Sequence, residues 1–152
     1  AITAPNTSVS YTITSAIVGF APLVNPPAVA SAAITVTDSD GNGAVASSLF
    51  AGGTKFFQAV SNVGVYANLI TGPLTTAPYA SAAASDALPA VGYGSVIGTV
   101  TTIQTAFSFN ITANDQVSGT GVFVVIPEPG GLAALATGLA GFAAVVLRRR
   151  TV

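Results

Sequence analysis

The stretch Asp38-Ser39-Asp40-Gly41-Asn42-Gly43 concentrates more chemistry than any other part of this chain. Calcium is a hard cation that takes oxygen ligands, and calcium loops open with acidic or amide side chains at alternate positions followed by a glycine. Asp38, Asp40 and Asn42 would supply the oxygens, and Gly43 would permit the sharp turn. The match then breaks. The twelfth position of such a loop is Leu49, where a bidentate Glu is expected, and the flanking residues read as strands rather than helices. A hairpin turn explains the same residues more plainly, because Asp, Asn and Gly tolerate positive φ. Calcium is the one cofactor the sequence suggests, and it would need further oxygens from carbonyls, water or a neighbouring subunit.

Other chemistry has little to work with. The chain contains no His and no Cys, so the usual triads, thiol nucleophiles and thiolate metal sites are absent. Lys55 lies beside Phe56 and Phe57 without a recognisable catalytic motif. Paired-carboxylate hydrolysis would require two of Asp38, Asp40, Asp86 and Asp115 to meet across a cleft, and the turn already accounts for the first two. The expectation is a protein that is not an enzyme. Asn6 in "NTS" and Asn110 in "NIT" are N-glycosylation sequons, and the abundant Ser and Thr offer hydroxyls for O-linked sugar. Tyr11, Tyr66, Tyr79 and Tyr93 could stack on sugars, but scattered aromatics more commonly serve a core or an interface.

These residues must be carried by strands. Half of the chain is apolar (51%) but only 6% is charged, against a usual charged share of about 25%. The apolar residues are mainly Ala and Val, mixed with Gly, Ser and Thr, a composition that suits strands with small side chains. "TSVSYTIT" alternates with period two, as a half-buried strand does. A second strand ends near Thr37. "KFFQAV" and "VGVYANLI" form a further pair, and "VIGTVTTIQTAFSFNITA" is the longest alternation, with Ile103, Phe107, Phe109 and Ile111 on one face. "GVFVVI" is a last, nearly continuous apolar strand. Residues 71–94 carry three prolines and read as a long loop, in which "SAAASDAL" has room for a helical turn or two or could cover a sheet edge. The fold expected is mainly β: an antiparallel β-sandwich or jelly-roll-like body over residues 1–126, followed by one C-terminal apolar helix.

The charges are segregated. Before Pro127 there is one cation, Lys55, against four aspartates; the other cations are Arg148, Arg149 and Arg150. A body without a basic patch is a poor partner for nucleic acid, whose phosphates supply most of the binding energy. Residues 127–152 begin with Pro127-Glu128-Pro129 and continue with an apolar run, 130–147, that contains no charge. As a helix that run is about 27 Å long, close to the roughly 30 Å hydrocarbon core of a bilayer. The arginines that follow at once would mark its cytoplasmic end. Ala134, Gly138 and Gly141 place small residues on one face of such a helix, where another helix could approach closely.

Taken together, Pro127, Glu128, Pro129, the apolar run and the arginine cluster resemble the PEP-CTERM sorting signal of bacterial surface and exopolysaccharide-associated proteins. The resemblance covers only the tail, and Gly130 and Gly131 stand where that family often has Ser or Thr. It implies export, retention in the membrane by residues 130–147, and recognition by an exosortase that cuts near the Pro-Glu-Pro. A start at "AITAPNTS" fits the same expectation, with a signal peptide already removed. The function expected is a non-catalytic structural protein of the cell surface or extracellular matrix that assembles with copies of itself into a filament or layer. The alternatives are a single-pass accessory subunit of a larger membrane complex and an exopolysaccharide-binding module.

Overall fold

The computed structural model of the chain describes residues 1–127. They form strands and turns with no helix, and every strand pairing is antiparallel. The strands are β1 (Ile2–Thr3), β2 (Val9–Thr14), β3 (Val18–Val24), β4 (Pro27–Thr37), β5 (Val45–Ser48), β6 (Lys55–Ser61), β7 (Gly64–Thr71), β8 (Leu74–Thr75), β9 (Ser81–Leu88), β10 (Gly94–Ser95), β11 (Thr99–Ile111) and β12 (Gln116–Val125). The mainly β, antiparallel part of the expectation therefore holds. The apolar helix, its small-residue face at Ala134, Gly138 and Gly141, and the arginines Arg148, Arg149 and Arg150 lie outside the described residues.

Two sheets share one core. The first is built on β4, which pairs with β12 along one side and with β9 and β10 along the other; β1 adds two residues at the far side of β12. The second is built on β11, the longest strand. It pairs with β6 and β5 on one side and with β3 and β2 on the other, while β7 and β8 extend the sheet.

Strand β4 shows how sequence sets the packing. Its residues alternate strictly, with Ala28, Ala30, Ala32, Ile34 and Val36 buried and the residues between them half exposed. Period two is what a pleated strand imposes. Because most of its inward side chains are alanines, the first sheet takes up little depth. The second sheet supplies the volume with Phe56, Phe57 and Phe109, all buried. Glycines on β12 continue the same complementarity: a Cβ on Gly121 would stand 2.2 Å from the Phe57 ring, and one on Gly119 would stand 3.3 Å from Phe107. The Tyr66 ring of β7 stacks on Phe123 of β12 at 5.1 Å, joining the sheets at their other end.

The structure corrects the reading of residues 71–94 as a loop with a helical turn. They contain β8, β9 and β10, and all eight residues of β9 pair with Ala30–Thr37 of β4. Alanine favours helix only as a weak local preference. Here β4 would otherwise present a full row of unpaired N–H and C=O groups, and small side chains at Ala82 and Ala84 fit the flat space beside it. Covering a sheet edge is thus what this segment does. Strand β3, including Pro22, also escaped the period-two pattern. It borders the sheet on its outer side, where a missing N–H is tolerated.

Candidate functional site

The turn that opens with Asp38 does gather carboxylates, but not along the chain as a calcium loop would. Asp38, Asp40 and Asp115 each bring an oxygen within 4.8 Å of the others. The third member arrives through the sheet. Thr37 of β4 lies opposite Gln116 of β12, so the next residues out along each strand, Asp38 and Asp115, are neighbours. In the sequence Asp115 stands out only as one of the four aspartates that a paired-carboxylate cleft would draw on. Leu49, where the loop template asks for its last ligand, is instead a partly exposed residue whose N–H is bonded to the Ser108 carbonyl.

Every carboxylate in the cluster is held by donors. Asp38 Oδ2 accepts the N–H of Gly41 at 2.9 Å and the N–H of Tyr79, while Oδ1 accepts the N–H of Gly43 at 2.9 Å. Asp115 accepts the Ser39 N–H at 3.3 Å and the Thr112 hydroxyl. Asp40 accepts the backbone and side-chain N–H groups of Asn42 and, at 3.1 Å, the side-chain amide of Asn114. Asn42 thus donates to Asp40. Gly41 and Gly43 have φ of +84° and +89°, and Tyr79 itself has positive φ. A side chain at Gly41 would collide with the Tyr79 ring.

Asp38 and Asp115 are buried, at 3% and 0% exposure. Burial pushes the Asp38 carboxyl up, but the N–H groups of Tyr79, Gly41 and Gly43 and the contact with Asp115 outweigh it, so the group sits below its ordinary value of 3.8. The cluster also fixes the chain's beginning, because Ala4 N–H bonds the Asp115 carbonyl and Asn114 N–H bonds the Pro5 carbonyl. Four segments therefore meet at one acidic hub: residues 38–43, the turn at Tyr79, the turn before β12 and the N-terminal arm. Oxygens on opposite sides of a calcium ion are about 4.6–5.2 Å apart, so the three carboxylates have a spacing that a hard cation accepts. Each oxygen of Asp115 and Asp38 Oδ1 accepts a single hydrogen bond, which leaves lone pairs for a cation.

The remaining candidate residues are dispersed. Lys55 gives its ammonium to the Thr71 hydroxyl at 2.9 Å. Asp86 accepts the N–H of Ile70, a β-branched residue held at φ 59°. Asn6 is exposed in the arm after β1. Asn110 is half buried, and its side-chain nitrogen, the atom a glycan would modify, donates to Ser10. A cleft of about 450 Å³ lies between β7 and β10, with Tyr66, Pro89, Ser95 and Ile97 among its walls. Tyr66 cannot offer a ring face there, because it stacks on Phe123 and its hydroxyl donates to the Ala28 and Leu88 carbonyls. Burial raises its phenol pKa. Tyr79 and Tyr93 are exposed, while Tyr11 packs against the core. The four tyrosines do not form one stacking surface.

No protein-family model, no curated protein and no solved structure matches this chain.

Proposed function

We propose that this chain is an exported, non-catalytic structural protein of the bacterial cell surface or extracellular matrix, with an antiparallel sandwich or jelly-roll-like body that assembles with copies of itself. The observation that carries the reading is the order of Pro127-Glu128-Pro129, the uncharged run 130–147 and Arg148–Arg150 behind a strand-rich body. In this reading the apolar run holds the protein in the membrane until an exosortase releases the body. Supporting it, the body spends its few carboxylates on cross-linking its own turns, and it leaves apolar strand surface at Val18, Val24, Val122 and Val124 uncovered. Electron microscopy of the native material, with mass spectrometry of its C-terminus, tests the reading. A regular assembly whose chains end near Pro127 is the expected result. A monomeric body, or a chain found only within a detergent-soluble membrane complex, would overturn it.

A structural calcium ion belongs to the same proposal. Asp38, Asp40 and Asp115 would hold it, with carbonyls and water completing the shell, and it would neutralise the hub that joins the four segments. Millimolar calcium is expected to raise the melting temperature of the full chain, and Asp40→Asn to abolish the rise. Asp40 is exposed, so the variant is expected to fold. Equal midpoints in calcium and in chelator would remove the ion from the proposal.

A further inference from the structure

Among the described residues, strand β12 has one side paired along its whole length with β4 and the other side almost bare. The pairing with β4 places the even-numbered residues of β12 in hydrogen-bonded positions, as the bond from Ile126 N–H to the Pro27 carbonyl shows at its end. The odd-numbered residues point their N–H and C=O groups the other way. There Asp115 meets Ala4 and Val117 meets Ile2 of β1. Beyond that, among the described residues no strand pairs with Gly119, Gly121, Phe123 or Val125 on this side.

The bare edge looks into a seam between the two sheets. Cavities of about 230 and 270 Å³ follow it in order, the first between Ile13 and Val117–Gly119 and the second between Val18 and Gly121–Phe123. A third, of about 370 Å³, lies between Phe20 and Val125. Open edges are normally guarded by charge, by proline within the strand or by a covering segment. Residues 118–125 carry none of the body's aspartates and neither a lysine nor a proline.

We propose that this edge pairs with the same edge of a second copy of the chain, in antiparallel register about a two-fold axis. The inference rests on the self-assembling reading above and names its surface. Three observations select a second copy. An antiparallel strand pair is self-complementary about a two-fold. The edge is uncharged, so two copies of an acidic body meet there without repulsion. The free length is also bounded at both ends: β1 closes one end at Val117, and Pro127, which has no N–H to donate, follows Ile126 at the other. In the register that fills this length, Gly119 faces Val125 of the second copy and Gly121 faces Phe123 of the second copy. These pairs exchange about eight backbone hydrogen bonds. Val122, 51% exposed, then lies opposite itself on the outer face, and Thr120 lies opposite Val124.

The chain contains no cysteine, so single thiols read this register directly. Facing residues at a non-hydrogen-bonded antiparallel position have Cα atoms about 4.5 Å apart, within disulfide reach. Oxidation of the full-length Val122→Cys chain in mild detergent is expected to give a covalent dimer. Thr120→Cys alone should give none, and a mixture of Thr120→Cys with Val124→Cys should link. Val91→Cys, at the most exposed large apolar position among the described residues, supplies the background. The exposed charge variant Val122→Lys should weaken the dimer by about tenfold, since like charges would face each other. Oligomers that form without a link at residue 122 would overturn the β12 interface and leave self-assembly standing. A chain that stays monomeric by mass in every preparation would overturn both.

Discussion

Gly121 and the Phe57 ring divide one volume between them. With a Cβ on Gly121 falling 2.2 Å from a fully buried ring, Gly121→Ala must displace Phe57 or bend β12. Overpacking of this kind costs about 1–3 kcal/mol, which urea unfolding resolves. Gly19→Ala meets no atom within 4 Å and is expected to change stability by less than about 1 kcal/mol. Phe57→Leu should cost less in the Gly121→Ala background than alone, because the two sites share a volume. Asp38 makes a prediction of a different kind. Its folded-state pKa lies below the ordinary 3.8. Its contribution is therefore present above that value and lost as pH falls through the folded-state pKa. Melting temperature followed from pH 6 downward should show an acid limb below pH 3.8 that becomes shallower in Asp38→Asn. An unchanged limb would mean that the N–H groups of Gly41, Gly43 and Tyr79 do not distinguish the charged from the neutral carboxyl.

At the scale of elements, β9 separates what the sequence reveals from what the fold adds. If Ser81–Leu88 were a loop, proline would be tolerated throughout. As a strand it is not. Asp38 N–H bonds the Ala80 carbonyl, so the even residues of β9 face β4 and the odd residues face away. Ala84→Pro is expected to cost about 3 kcal/mol by removing a ladder hydrogen bond, and Ala83→Pro distinctly less, as thermal melts of the two variants would show. Strands β2 and β11 were legible because half-burial imposes period two on their side chains, and β4, β6, β7 and the end of β12 because they are apolar runs bounded by turn residues. Strand β9 was not, because Ala and Ser fit either face and leave no periodic contrast. The acidic hub was half legible for a related reason. Asp38 and Asp40 announce themselves by spacing, but Asp115 joins them through the pairing of Thr37 with Gln116, and no local pattern records a register between strands so far apart in the chain.

Over the whole molecule, the division that matters lies at Pro127. The core that the two sheets enclose runs from Ala4 to Phe123, and the last hydrogen bond of the body is that of Ile126 to Pro27. Every strand of the described residues finds its pairing partner within residues 2–125. A chain truncated after Pro127 is therefore expected to unfold cooperatively, with a midpoint within a few degrees of the full chain. The two should differ in solvent preference instead. Residues 130–147 carry enough apolar length to span a bilayer, and Arg148–Arg150 favour holding one end at its surface. In a detergent phase partition the full chain should enter the detergent-rich phase and the truncated chain the aqueous phase. Replacing Leu139 and Phe142 by Asp should move the full chain towards the aqueous phase without altering its melting temperature, because a charge in the bilayer centre costs about 3 kcal/mol per residue. If the truncated body instead loses its cooperative transition, the tail is part of the fold, and residues 127–152 cannot be a detachable sorting segment.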